Sequence, residues 1–348
     1  MPLFPSLKPT SLFFGKIILP IFLCVFSIYP QYRIESWSTE EGLPYKTVNS
    51  VLQTRDGYIW AATSDGLARF DGVKFTVFNT ANTPSLTTNR FGTMVESNDG
   101  SLWAAVEKRG LVHYKDGVFT NYTTANGLPN DWIWSLQYFA DQDLLQVGTP
   151  EGIARFDGEK FVRKDAPSLT LEQNKQTIID NTGAVWTRFG NELRRTDGKN
   201  TESLIIPKQF SKSLLNLFFR DRSGAYWLAL DDVINGYTVR FQNGKADILS
   251  NKEGLPSGIV NAIFEDSKRN IWFGSKSEGG LSIYQNGKFQ NLTKKDGLSS
   301  DGFSSFSEDR EGGVWGASFD GGVVRLSPQI IKSFAEKDGL SGKGIYPL

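Results

Sequence analysis

The stretch GLPYKTVNSVLQTRDGYIWAATSDGLARFDGVKFTVF, from Gly42 to Phe78, decides the architecture of this chain. It holds four short apolar or alternating runs: Val48 to Leu52, Tyr58 to Ala62, Leu67 to Phe70 and Lys74 to Phe78. Period-two alternation at this length, bounded by Gly, Asn and Asp, is the pattern of β-strands. The stretch recurs as GLPSGIVNAIFEDSKRNIWFGSKSEGGLSIYQNGKFQNL from Gly254. Trp60, Trp103, Trp186, Trp227, Trp272 and Trp315 mark six copies, and Gln146 stands at the same position in one more. The spacings are 43, 43, 40, 41, 45 and 43 residues, so one supersecondary unit is repeated seven times.

The turns agree with strands. Asp71-Gly72, Asp116-Gly117, Asp157-Gly158, Asp197-Gly198, Asn243-Gly244 and Asn286-Gly287 lie between the third and fourth runs. There a two-residue hairpin wants positive φ at both positions, which these pairs tolerate. Ser327-Pro328 departs from the pattern in the seventh copy. Four antiparallel strands in about 42 residues make a propeller blade, and seven blades make a closed ring around a channel. No repeat holds the 3.6-residue periodicity of a helical solenoid. The expected fold is thus an all-β, seven-bladed β-propeller of four-stranded antiparallel blades, spanning residues 31–335.

Two segments compete to close the ring. Tyr32-Arg33-Ile34-Glu35-Ser36-Trp37 reads as the fourth strand of a blade and would cover the open edge of blade 7, and Ile330-Ile331-Lys332-Ser333-Phe334 fits the same slot. Residues 336–348, with Asp338-Gly339-Leu340-Ser341, read either as the opening of an eighth repeat or as a tail over the rim. The first 30 residues differ from the rest. Ile17 to Tyr29 is almost wholly apolar and follows Lys8 and Lys16, the layout of a secretory signal. Its 13 residues are short for a spanning helix, which needs about 20. Phe26 to Pro30 lacks a clean small-x-small cleavage pattern, which leaves an uncleaved anchor as the alternative. The single cysteine, Cys24, lies in this segment, so a domain freed of it carries no thiol to mispair in an oxidising compartment. A periplasmic or extracellular location follows, with membrane contact only through the leader.

Lys plus Arg equals Asp plus Glu at 38 each, so no global field favours nucleic acid or an anionic membrane. The one histidine, His113, leaves little for a Ser-His-Asp triad or a histidine-rich metal centre, and a strand histidine making a structural hydrogen bond is the better reading. Zincin, nucleophile-elbow and dinucleotide motifs are absent from the sequence. Gly339 to Gly344 has the wrong glycine spacing for a phosphate loop. No catalytic residue, metal or cofactor is expected.

The succession GLP, apolar strand, D-x-x-G-x-x-W, then G-L-x-R-F-D-G resembles the two-component regulator propeller repeat. The residues concerned include Gly42-Leu43-Pro44, Gly127-Leu128-Pro129, Gly254-Leu255-Pro256, and the sets Asp180, Gly183, Trp186; Asp221, Gly224, Trp227; and Asp309, Gly312, Trp315. The resemblance runs from about Tyr32 to Leu340. It implies the exported sensor region of bacterial hybrid histidine kinases and diguanylate cyclases, binding an oligosaccharide or other small extracellular ligand on its loop face, with association of propellers or a signalling partner as output. Such sensors usually continue into further modules and a signalling domain that this chain does not contain. Repeats 3 and 4 depart from the pattern, with Gln146 at the tryptophan position and no GLP before Asp180. The D-x-x-G-x-x-W element also resembles the Asp-box of sialidases, a structural turn. Asp180, Asp221, Asp266 and Asp309 are therefore expected to bond turn amides, and the periodic tryptophans to pack between blades.

Function is better sought in residues outside the period. Loops entering the first strand and joining the second to the third share one face of a propeller, and loops on a rigid scaffold carry binding. The entry loops supply Tyr45, Lys46, Asn89, Arg90, Asn130, Asp131, Trp132, Trp134, Asp301 and Phe303; the other loops supply Lys108, Arg109, Arg188, Asp231, Asp232 and Lys276. Trp132 and Trp134 are tryptophans the repeat does not require, and an aromatic platform flanked by Asn, Asp and Arg suits a sugar. Tyr45, Asn89, Arg90, Asn130, Asp131, Trp132, Trp134 and Arg188 form the expected ligand set. Packing of the Trp132 and Trp134 pair between blades is the alternative. An exported propeller lyase using loop carboxylates, and a platform for protein partners, are the competing functions.

Overall fold

The computed structural model describes residues 32–164, 175–196, 202–232 and 235–328. The leader with Cys24, Asp197-Gly198, Ile330 to Phe334 and the 336–348 segment lie outside these residues. Seven four-stranded antiparallel sheets follow one another, blades 1 to 7. Blade 1 runs Val48–Gln53, Ile59–Thr63, Gly66–Phe70 and Phe75–Phe78. Blades 2 to 6 take residues 91–122, 135–164, 175–205, 214–249 and 260–292. Blade 7 takes Phe303–Glu308, Val314–Ser318 and Val323–Pro328 from the end of the described chain and Tyr32–Trp37 from its start. Tyr32 pairs with Pro328 and Trp37 with Val323. Ser327-Pro328 is therefore strand and not turn, and the N-terminal segment closes the ring.

Each second strand sits between neighbouring sheets. Ile59–Thr63, Leu102–Val106, Ile271–Ser275 and Val314–Ser318 are buried along their whole length, so both faces are apolar. The periodic tryptophans fill the wedge toward the next blade. Trp60 joins Phe91, Met94 and Leu102; Trp227 joins Val260, Ile271 and Phe273; Trp315 joins Val48, Val51 and Ile59.

The aspartates do more than close turns. Asp221 accepts from Ser223 N at 2.9 Å and Ala225 N at 2.9 Å through one oxygen, and from the Trp227 indole at 2.8 Å through the other. Asp180 and Trp186, Asp266 and Trp272, and Asp309 and Trp315 repeat the indole bond at 2.9, 2.9 and 2.8 Å. One buried carboxylate thus ties a turn to the core wedge. In blades 1 and 2 Thr54 and Ser97 take the aspartate position and bond Asp56 and Asp99, each at 2.6 Å.

A hydrogen-bond belt runs between blades on the same rim. In blades 1, 5, 6 and 7 the amide after the box position donates to the last side chain of the next blade's first strand: Arg55 to Glu96 at 2.8 Å, Arg222 to Glu265 at 2.8 Å, Ser267 to Glu308 at 2.6 Å and Arg310 to Gln53 at 2.9 Å. The Asn98 amide instead donates to the Tyr138 hydroxyl at 2.8 Å, and the Asn181 side-chain oxygen accepts from Arg220 N at 2.7 Å.

Blade 3 meets blade 4 differently. Gln146 is buried where the tryptophan would be, accepting from Arg155 at 3.0 Å and donating to Gly183 O at 3.5 Å. Gln137 donates to Asp180 O at 2.6 Å. The apolar cluster at this seam holds Ile153 and Val185 with Ile179 packed on it, among the described residues. A seam with little apolar burial should open locally before the others. In hydrogen-exchange mass spectrometry, Ser135–Phe139 and Lys175–Ile179 are expected to exchange roughly tenfold faster than Tyr226–Asp232. Equal protection of these strands would refute a weak seam.

The hairpins split into two kinds. Asp116-Gly117, Asn243-Gly244 and Asn286-Gly287 have positive φ at both residues, as expected. Asp71 and Asp157 do not; each side chain instead accepts from the two amides at positions 73 and 74, or 159 and 160, in four-residue loops. An aspartate side chain braces these two turns, in which only the glycine, Gly72 or Gly158, is left-handed. His113 also differs from expectation: its ring packs 4.4 Å from the Trp103 ring and faces Tyr122. Burial lowers its pKa, which favours the neutral form in that contact.

Candidate functional site

The loop face over blades 1 to 3 carries a groove with two lobes. One lobe, of about 520 Å³, is lined by Tyr45, Ser64, Asp65, Thr80, Thr87, Thr88, Asn89, Arg90 and Arg109. The other, of about 430 Å³, is lined by residues that include Asn49, Ser64, Arg90, Phe91, Glu107, Trp132 and Trp134. Ser64 and Arg90 belong to both. Trp132 and Trp134 are 48% and 42% exposed, against 0–4% for the six periodic tryptophans. Their rings meet edge to face with centroids 5.6 Å apart. This exposure sets the pair apart from the periodic tryptophans, which pack between blades.

Local sequence explains why the rings stand out. Asn130 accepts from Trp132 N at 2.8 Å, an Asx turn that fixes the backbone just before the first strand of blade 3, and donates to Glu151 at 2.8 Å. Asp131 accepts from Thr124 N at 2.6 Å, and its carbonyl accepts from Gly110 N at 2.8 Å. Gly110 has φ +79, and a Cβ there would stand 2.0 Å from Tyr122 O, so glycine is required.

The bond made by Asp131 is periodic. Gly66 donates to Asn89 O, Gly280 to Asp301 O and Gly322 to Lys46 O, at 2.7, 3.0 and 3.0 Å. The Asn89 and Asp301 side chains likewise accept from Thr80 N and Lys294 N, each at 2.8 Å. Asn89, Asp131 and Asp301 are thus repeat braces, at equivalent positions of their blades but with the residue type varying between Asn and Asp.

The expected ligand set therefore divides. Tyr45, Arg90, Trp132 and Trp134 line the groove, and Asn89 lines it while bracing the loop. Asn130 and Asp131 support the tryptophans from behind. Arg188 stands apart: it is 5% exposed and donates to Gly190 O at 2.8 Å, Phe210 O at 2.5 Å and Ser213 O. A loop cation in the sequence is here a buried clamp on carbonyls of blades 4 and 5. Sequence reading missed Ser64, Asp65, Thr80, Thr87, Thr88 and Glu107. The run Thr80 to Arg90, longer than a GLP entry and rich in hydroxyls, is the signal that could have found them.

Arg90 bonds Glu107 at 3.0 Å, and that bond and charge raise its already high pKa. Among the described residues no group of three or more His, Cys, Asp or Glu could hold a metal ion, and no helix is long and apolar enough to cross a membrane.

Residues 42–65 and 254–277 match the family model of the two component regulator propeller. No curated relative matches the chain by sequence. Among solved structures, the extracellular domain of a putative hybrid two component system from B. thetaiotaomicron is similar at TM-score 0.68 and 19% identity, over 85% of this chain and 42% of that one. The chain therefore spans less than half the length of that domain. Virginiamycin B lyase from Staphylococcus aureus is similar at TM-score 0.61 and 14% identity, over 85% and 99%. YCF48 from Cyanidioschyzon merolae is similar at TM-score 0.62 and 13% identity, over 85% and 99%. At these identities the likeness is one of fold.

Proposed function

We propose that this chain, which carries two-component regulator propeller repeats, is an exported, non-catalytic sensing domain that binds an oligosaccharide or other small extracellular ligand over blades 1 to 3. The observation that carries this reading is the solvent-facing Trp132 and Trp134 pair. Exposed large aromatics beside polar donors stack on sugar ring faces while the donors fix orientation. The family match and the hybrid two component neighbour support a role in signal transduction. Binding is proposed to act by altering association of propellers or contact with a signalling partner.

A lyase is disfavoured by a specific residue. A histidine-to-alanine variant of virginiamycin B lyase is catalytically inactive. The single histidine of this chain, His113, lies on the third strand of blade 2 with its ring against Trp103. It is absent from both lobes of the groove.

A glycan array and a turnover assay on the same sugars test the proposal. Binding without turnover is expected, and the double variant Trp132→Ala, Trp134→Ala should bind at least about tenfold more weakly with an unchanged circular dichroism spectrum. Turnover would favour an enzyme. Absence of any binding would favour a platform for protein partners.

A further inference from the structure

The two lobes share a wall, the tight turn at residues 107–109 that joins the second and third strands of blade 2. Glu107 N donates to Arg90 O at 3.0 Å and Arg109 N to Val106 O at 3.2 Å. Lys108 between them has φ +52, a left-handed backbone that residues with a Cβ adopt uncommonly. The turn places one cation in a lobe and its neighbour over an aromatic wall of the other. Lys108 Nζ lies 5.5 Å from the centroid of the Trp132 ring, and Arg109 lines the lobe of Tyr45.

Of the carboxylates at the groove, Glu107 is paired with a cation, and Asp65 and Glu151 are held by neutral amides that leave their charge in place. Glu107 bonds Arg90 at 3.0 Å, Asp65 accepts from Asn89 at 2.9 Å, and Glu151 accepts from Asn130 at 2.8 Å. Among the described residues neither Lys108 nor Arg109 has a carboxylate within ion-pair distance. A solitary surface cation is ordinary. Arg109, beside the hydroxyls of Thr80, Thr87 and Thr88 and across the lobe from Asp65, together with Lys108 over Trp132, offers two cations without a carboxylate partner to a negatively charged group.

We infer that the ligand of this groove is an acidic saccharide, whose carboxylate or sulfate is received by Arg109 and whose adjoining ring is received by Trp132 and Trp134. The inference rests on the groove being the saccharide site proposed above. Arg109 suits the role because a guanidinium holds carboxylate or sulfate oxygens through two parallel N–H donors. Lys108 adds a second charge over the Trp132 ring.

The test is calorimetric titration of the full chain with oligogalacturonate, oligoglucuronate and a sulfated chondroitin oligosaccharide, each beside its methyl-esterified or desulfated counterpart. Acidic members should bind and their neutral counterparts bind at least about tenfold more weakly. Arg109→Gln should remove about that factor for acidic members alone, and raising salt should weaken their binding. Lys108→Gln should give a smaller loss. Equal binding of neutral and acidic members, indifferent to Arg109→Gln, would overturn the charge assignment and leave the saccharide reading standing. Failure of every member to bind would overturn both.

Discussion

Asp309→Ala is expected to lower the stability of the ring by about 3–5 kcal/mol, the cost of removing one partner from a buried, charged hydrogen-bond network. Asp309 accepts from Gly313 N at 2.7 Å, Glu311 N at 3.1 Å, the Trp315 indole at 2.8 Å and Arg325 Nε at 2.6 Å. Truncation removes the acceptor shared by all four donors and leaves the buried indole and the Gly313 amide without a partner. Two of the four are the indole and guanidinium that seal the closing blade, for Trp315 stacks on Trp37 at 4.9 Å and Arg325 also reaches Glu35 at 3.9 Å. Folded domains hold a margin of only about 5–15 kcal/mol, so the loss should move the urea midpoint visibly. Asp309→Asn keeps one acceptor and should cost about half as much. Burial opposes ionisation of Asp309, but the bonds from Arg325, Gly313 and Trp315 outweigh it and hold the carboxyl below its ordinary value. A depressed folded pKa stabilises above the unfolded value of about 4 and loses that contribution as pH falls through the folded value. The gap between wild type and Asp309→Ala should therefore narrow below about pH 4. A gap that stays constant down to pH 2 would show that the charge contributes nothing.

The scaffold was legible because its signals are local and repeated. The tryptophan period, the Gly-containing hairpins and the box aspartates each follow from one blade's own residues, and the structure bears out the seven blades. Relations between blades were harder. Gln53, Glu96, Glu265 and Glu308 each end a first strand, yet their partners lie in the preceding blade around the ring. A polar residue at a strand end looks like any solvated position until the neighbouring sheet is placed. Arg188 shows the reverse error. Its loop position suggested a free cation, but carbonyls of residues 190, 210 and 213 converge on it only once blades 4 and 5 are folded. Trp132 and Trp134 were identifiable as outside the period. Their exposure depended on the Asn130 turn, whose consequence for ring direction no spacing rule encodes.

Removing residues 1–37 is expected to have a larger effect than any single substitution: loss of soluble, monomeric propeller. Two segments of sequence competed for the closing position, and the described structure gives it to Tyr32–Trp37. That strand touches three blades. Tyr32 meets the Trp272 ring of blade 6 at 5.5 Å, Ile34 packs in the cluster of Leu298, Val314 and Val324, and Trp37 reaches Phe70 of blade 1 at 5.4 Å. Without it, Val323–Pro328 presents a free edge of unpaired backbone groups, the template for pairing with a second chain. Size-exclusion chromatography should show aggregates, and a peptide with the sequence of residues 31–38, added during refolding, should restore some monomer by strand addition. The competing segment supplies the counter-test. If residues 330–334 can take the same slot, the truncated chain will run as a monomer with an unfolding midpoint close to that of the full chain. In that case closure is a choice between two strands and the N-terminal one is dispensable.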